Sequence, residues 1–295
     1  MRKKTEIIIH IGGGLGNQMF QYALARNISR LNGIDFKLDI SSHFNHCDDG
    51  RKYELSHFNI VENFATVEEI AGFEKFEKRN GRKNLIHNMF FANRSLYIKE
   101  DTSHFNEKIL KLNHPAYIFG WWHNERYFKN NEETIRKEFT LRGHQYEKFT
   151  QKLKEISKEN SVSIHIRRGD NLTDPKVLSY LEPCTLEYYK KASEKMAENI
   201  KNPIFYIFSD DTEWAIKNLS LKFPTKFHDP ENFQDYEELL LMSACKHNII
   251  ANSTFSWWGA WLNKNPQKII IAPQKWFRDP VRNLQPIVPS EWLRL

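Results

Sequence analysis

Four short stretches of the chain carry residue types that could do chemistry, and each follows an apolar run that reads as a strand. In HIGGGLGNQ (10–18) the glycines let backbone approach a ligand closely, while Asn17 and Gln18 offer hydrogen bonds at the start of a helix. Gly12, Gly14 and Asn17 fill the frame of a G-x-G-x-x-G dinucleotide fingerprint, so its third glycine is missing. Asp39, near the end of the next strand, could stand in for a ribose-binding acid; the alternative is a tight strand-to-helix turn.

HIRRGD (165–170) places two adjacent arginines at a strand end. A guanidinium fork fits phosphate oxygens in pairs, and a diphosphate leaving group would use both charges of Arg167 and Arg168. If Ile166 faces the core, His165 and Arg167 share the other face; the alternative is an ion pair to an acid such as Asp170. NSTFSWWGAWL (252–262) sets Ser253, Thr254 and Ser256 at a helix N-terminus, where open amides and the helix dipole suit an anion. Simple capping by Asn252 or Ser253 is the alternative there, and Trp257, Trp258 and Trp261 at helical spacing read as packing. FSDD (208–211) brings Asp210 and Asp211 near a sugar or a cationic partner, or else ends the strand in a turn with a helix cap. There is no Asp-x-Asp, and the histidines lack ligand spacing, so no metal site is expected and protein cations would have to neutralise a diphosphate.

The elements that position these stretches alternate. Residues 6–11, 17–31 and 34–40 read as strand, helix, strand, a βαβ unit. Residues 161–167, 203–211, 249–252 and 268–273 read as further strands, the last as the final one, with helices over 185–199, 235–248 and from 253 onward. Between the halves lie polar loops, short helices near 66–79 and 124–139, a strand at 116–122, and a Lys/Glu-rich helix over 144–160. This pattern predicts an α/β fold with largely parallel sheets and two domains, 1–150 and 151–295. The reactive stretches then lie beyond the carboxyl ends of strands, where open α/β sheets bind ligands.

At 295 residues and 40% hydrophobic the chain can bury two cores, which excludes wholesale disorder. Three scattered cysteines, Cys47, Cys184 and Cys245, form no disulfide framework and suggest a reducing compartment. No apolar run is long enough to span a membrane and the start lacks a secretory signal, so a cytoplasmic protein is expected. A net charge of +6 would help it approach an anionic ligand or the inner membrane surface as a peripheral protein.

GGLGNQMFQYALAR (13–26), HIRRGD and NSTFSWWGAWL, extended by FSDD and LMSACKHNIIAN (241–252), together resemble the bacterial α-1,2-fucosyltransferases that share motifs with the animal blood-group enzymes. The resemblance spans nearly the whole chain, although 41–140 carries no motif. It implies a GT-B architecture of two Rossmann-like domains facing across a cleft, the first on the acceptor side and the second holding the donor. It further implies GDP-β-L-fucose as donor, a galactoside acceptor, inversion to an α-1,2 linkage, and neither metal nor cofactor. By the same resemblance His165, Arg167 and Arg168 hold the donor, with Arg167 closest to the β-phosphate. Asp210, Asp211, Asn252, Ser253, Thr254 and Ser256 line the donor site. Asn17, in a G-x-x-G-N-Q loop like that of protein fucosyltransferases, lies beside the leaving group, with Gly14, Gly16 and Gln18 around it. The acid that reads guanine is commonly Asp; this chain has Glu238, with Glu237 beside it. For the general base, Asp170, His165 and a carboxylate from the first half are candidates. Competing readings are a fucosyltransferase of another linkage, an NAD-linked oxidoreductase, which needs the complete glycine fingerprint, and an RNA- or membrane-surface binder, which would show steep salt dependence. Bacterial surface-glycan synthesis fits the resemblance best, with no nucleic-acid partner.

Overall fold

The computed structural model describes residues 6–43, 51–80, 97–100, 105–143, 146–169, 174–283 and 287–295. The chain divides into two compact units, Met1–Arg142 and Gly143–Leu295.

The first unit runs β1 (Glu6–His10), α1 (Leu15–Asn32), β2 (Asp35–Asp39), α2 (Val67–Asn80), β3 (Tyr97–Lys99), β4 (Ala116–Phe119) and α3 (Glu132–Glu138). Its four strands are parallel in the order β2-β1-β4-β3, with Ile8 opposite Lys37 on one side and Tyr117 on the other. Ile7, Ile8 and Ile9 are all buried, as expected of a parallel strand covered on both faces. Helix α1 starts two residues before the sequence pattern suggests, on an extended Gly14, and ends at Gly33, whose φ of 62° places it in the left-handed region. Residues 124–139 do not form one helix. Two 3-10 turns, Glu125–Tyr127 and Lys129–Asn131, precede α3. The Tyr127 carbonyl is taken by the Asn27 amide at 2.7 Å, so the Asn131 N–H bonds to Phe128 instead. Strand β4 also stops short of the predicted 122, because Gly120 (φ 154°) and Trp122 (φ 59°) turn the chain out of the sheet.

The second unit runs α4 (Glu147–Lys158), β5 (Ser161–Ile166), α5 (Pro175–Tyr180), α6 (Leu186–Ala197), β6 (Ile204–Ser209), α7 (Thr212–Asn218), β7 (Thr225–Phe227), α8 (Asp235–Ala244), β8 (His247–Ile249), α9 (Thr254–Leu262), β9 (Ile270–Ala272) and β10 (Leu293–Arg294). All six strands are parallel in the order β10-β9-β8-β5-β6-β7. Val162, Ile164 and Ile166 enter one apolar cluster with Tyr189, Met196 and Ile207. The alternate residues Ser163 and His165 are buried too, so the strand has no wet face. On that second face a polar seam ties strand to helix: Asn248 donates to Ser163 Oγ at 2.8 Å and to the Met242 carbonyl at 2.8 Å. These bonds draw Asn248 into β8 and end α8 at Ala244, four residues before the sequence pattern does. Strand β9 is not the last: β10 adds an edge of two residues, too short to carry a periodicity.

Each sheet has one place where successive strands depart in opposite directions. In the second unit the chain goes from β5 outward through β6 and β7, then returns to β8 and goes the other way. In the first unit β1 leads to β2 on one side and abuts β4 on the other. Beyond the carboxyl ends of such strand pairs the loops part and leave a crevice. Among the described residues, no helix is long and apolar enough to cross a membrane.

Candidate functional site

The loop after β5 in the second unit carries the arginine pair, which meets the loop after β6. Arg167 Nη1 lies 3.1 Å from Asp210 Oδ2, and Asp210 Oδ1 accepts the Arg168 N–H at 2.8 Å. Arg168 is held harder. Its Nε donates to Asp211 Oδ2 at 3.1 Å, and its guanidinium carbon sits 3.5 Å above the Trp214 ring centre. Asp211 also caps α7, accepting the Trp214 N–H at 3.1 Å. The two aspartates of FSDD therefore orient the two arginines one to one, because β6 lies directly beside β5. Gly169 permits this closeness: a Cβ there would fall 2.7 Å from Asp210 Oδ2. Arg167 keeps a third of its side chain exposed, whereas its partner Asp210 keeps 21%. Asp170 lies outside the described residues.

His165 precedes this pair and is 4% exposed, with its ring 5.6 Å from that of Phe255 on α9. Burial, and then the Arg167 charge, push its pKa down to about 3. It is therefore held in its neutral form, buried against α9. The loop after β8 shows a division of labour. Asn252 is buried, and its amide donates to the carbonyls of Glu182 and Trp276, so it braces two loops. Ser256 is also buried, and its hydroxyl points at the Ala251 and Ser253 carbonyls at 3.4 and 3.3 Å. Ser253 is the N-cap residue of α9 without a side-chain capping bond, and Thr254 follows it; both are half-buried. Of the hydroxyls read at this helix start, these two are the ones placed at its mouth. Trp257 and Trp258 are fully buried packing residues, and Trp257 Nε1 donates to the Ile287 carbonyl at 3.0 Å.

The two glutamates of α8 separate cleanly. Glu237 closes a capping box with Gln234, accepting the Gln234 N–H at 2.9 Å. Glu238 instead faces His228, with Oε1 and Nε2 3.1 Å apart, near enough to pair electrostatically though not aligned as a hydrogen bond. His228 lies buried between Phe208 and Phe233 at ring distances of 4.8 and 4.7 Å.

In the first unit the β1/β4 crevice holds the glycine loop. Gly13 has φ 72°, and a Cβ there would meet Asn17 Nδ2 at 2.7 Å and the Trp121 ring at 2.9 Å. Asn17 is half-buried and its Oδ1 lies 3.0 Å from His123 Nε2. Gln18 is fully buried and works as a staple. Its amide donates to the Gly13 and Lys52 carbonyls at 2.8 and 2.7 Å, and its oxygen accepts the Glu54 N–H at 3.0 Å. Its hydrogen bonds are thus made inside the unit, not to a ligand. Gly16 is buried in α1, while Gly14 is half-buried at its N-cap. Asp39 is 2% exposed, and its oxygens accept from Tyr117 Oη at 2.5 Å and the Ser41 N–H at 2.9 Å, so its carboxylate is turned into the unit and bonded there. Trp121 and His123 are neighbours of this loop that the sequence did not announce, and Glu100 binds the backbone that carries them. They lie in the part of the chain without a motif, and an aromatic run after a strand carries no signal of its own.

Two doubly wound units in one chain, one with an arginine pair at its switch point, define a GT-B type glycosyltransferase. The chain belongs to glycosyl transferase family 11, which it matches over residues 1–295. It is 34% identical over 298 residues to an alpha-1,2-colitosyltransferase of Escherichia coli, covering 98% of both chains. It is 24% identical over 265 residues to galactoside alpha-(1,2)-fucosyltransferase 1 of Leontocebus fuscicollis, covering 86% of this chain and 64% of that one. Among solved structures, an Arabidopsis thaliana FUT1 variant in complex with GDP superposes with a TM-score of 0.51 at 12% identity, covering 92% of this chain and 70% of that one. At that identity the likeness supports the fold alone.

Proposed function

We propose that this chain moves L-fucose from GDP-β-L-fucose to the 2-hydroxyl of a terminal galactose, with inversion to an α-1,2 linkage and without a metal ion. The observation that carries the reading is the arginine pair after β5, where Arg167 meets Asp210 and Arg168 meets Asp211, on a strand whose His165 ring lies 5.6 Å from Phe255 in the first turn of α9. This is a cradle for a diphosphate built from protein cations and helix amides. The acceptor oxygen bonds to C1 of fucose, the bond from C1 to the β-phosphate oxygen breaks with its electron pair leaving on GDP, and the acceptor proton passes to solvent water. Negative charge grows on the β-phosphate as GDP departs, and Arg167 binds it more strongly then than in the ground state. Arg168, stacked and paired, sets the register of the loop. Ser253 and Thr254 contribute at the α9 start. Glu238 is assigned to guanine, because Glu237 is occupied in capping. Asn17 contributes hydrogen bonds from the first unit, which is assigned to the acceptor.

Incubation with GDP-fucose and a panel of galactosides, with the product linkage read by NMR, tests the assignment. Hydrolysis without a fucosylated product from any acceptor counts against it. An equal rate in excess EDTA is expected, and a strict requirement for Mg²⁺ or Mn²⁺ refutes the metal-free mechanism. A second reading, transfer of colitose, is favoured by the 34% identical relative. Colitose lacks the 3-hydroxyl of fucose, and a site built to hydrogen-bond a hydroxyl discriminates strongly against an analogue without it. Competing the two GDP-linked sugars decides between them.

A further inference from the structure

We infer that Trp121 is the stacking platform for the galactose ring of the acceptor. The inference rests on the fucosyltransferase reading and adds a residue to its acceptor side. Trp121 is 44% exposed, a large apolar surface that contributes little to the core. Yet the backbone that presents it is costly. Gly120 has φ 154°, and Trp122, a bulky residue, is left-handed at φ 59°. Both conformations are held by Glu100, whose carboxylate accepts the Trp121 N–H at 2.6 Å and the Trp122 N–H at 3.0 Å. The strained residue, Trp122, is itself buried, and the turn it makes with Gly120 leaves Trp121 between them directed outward.

The indole is also placed beside hydrogen-bonding groups. It reaches the space over Gly13, where a Cβ would come within 2.9 Å of the ring, and it stacks on His123 at 6.1 Å and 28°. His123 in turn contacts Asn17 at 3.0 Å. A flat apolar surface flanked by an imidazole and a carboxamide matches a pyranose. The C–H bonds on one face of galactose lie against the negative face of an aromatic ring, while its hydroxyls reach polar groups at the edge. The site lies beyond the carboxyl ends of β1 and β4, at the switch point of the first sheet.

The test pairs Trp121→Ala with Trp121→Phe. In transfer assays, Trp121→Ala should raise the KM for galactoside by about tenfold or more, with the KM for GDP-fucose within about twofold of wild type. Trp121→Phe should recover most of the loss, and both variants should melt with the wild type. An unchanged galactoside KM in Trp121→Ala, or an equal rise in both KM values, overturns the inference. Saturation-transfer NMR with methyl β-D-galactopyranoside and lactose provides a readout independent of transfer. Wild type should saturate the galactose ring protons and Trp121→Ala should not. Failure of the wild type to transfer fucose, with galactoside saturation that depends on Trp121, would refute the fucosyltransferase reading and keep the platform. Absence of saturation in the wild type, or its persistence in Trp121→Ala, would refute the platform.

Discussion

Replacing Arg167 by alanine should separate catalysis from stability. Its pairing with Asp210 spans 3.1 Å, but the guanidinium is a third exposed, so solvent screens the pair and its loss should cost the fold about 1 kcal/mol or less. For a unit of this size that corresponds to a melting shift of about 2–4 °C. Its proposed role in the transition state is larger. Removing one preorganised donor from a developing oxyanion typically costs about 10²–10³ in kcat, or about 3–4 kcal/mol. Arg167→Ala should therefore lower kcat for fucose transfer by that factor with the melting curve nearly unmoved. Arg167→Lys keeps the charge but not the fork and should fall between the two. The assay is initial-rate fucose transfer at saturating donor, beside thermal melting of each variant. A turnover within about fivefold of wild type in a folded Arg167→Ala protein would refute the phosphate role. So would an activity loss that vanishes when the assay is run well below a lowered melting temperature.

Other changes probe the supports of the site. Gln18→Ala strips three hydrogen bonds from a fully buried position and should destabilise the protein by about 2–4 kcal/mol, read from urea unfolding. Gly169→Ala drives a methyl group to 2.7 Å from Asp210 Oδ2 and should lower transfer by displacing the partner of Arg167; equal kcat would show that this carboxylate does not position the arginine. Glu238→Gln should weaken GDP binding by calorimetry, whereas Glu237→Ala should leave it in place and cost about 1 kcal/mol of stability through the lost capping box. Burial pushes the Glu155 carboxyl up, but hydrogen bonds and charge from Lys226 and Lys152 outweigh it and hold its pKa at about 2. Its contribution to stability is present above the unfolded value near 4.5 and is lost as pH falls toward 2, so Lys226→Met should raise the pH of the acid-unfolding midpoint.

Much of the scaffold was readable because parallel strands buried on both faces write themselves as β-branched runs. EIIIH, SVSIHI and IFYIFS stand where the pattern puts them, each followed by the reactive stretch it carries. The failures have local causes. The segment 235–248 keeps its helical spacing past Ala244, but Asn248 is claimed by Ser163 across the sheet. The helix over 124–139 is interrupted by a side chain of α1 that takes one of its carbonyls. Gln18 reads as a ligand contact by its place in the glycine loop, and only its three partners, two of them 34 and 36 residues away, show it to be a staple.

By itself the sequence determined which residue types stand at the strand ends and in what order, because strand periodicity, glycine turns and helix caps are local properties of the chain. What each of those residues faces was decided only by tertiary structure. The Asp210–Arg167 and Asp211–Arg168 pairs join residues 43 apart and exist because β6 pairs with β5. Trp121 and His123 meet the glycine loop over a separation of more than a hundred residues because β4 pairs with β1. A linear pattern can announce an arginine, but the carboxylate that aims it is supplied by the neighbouring strand.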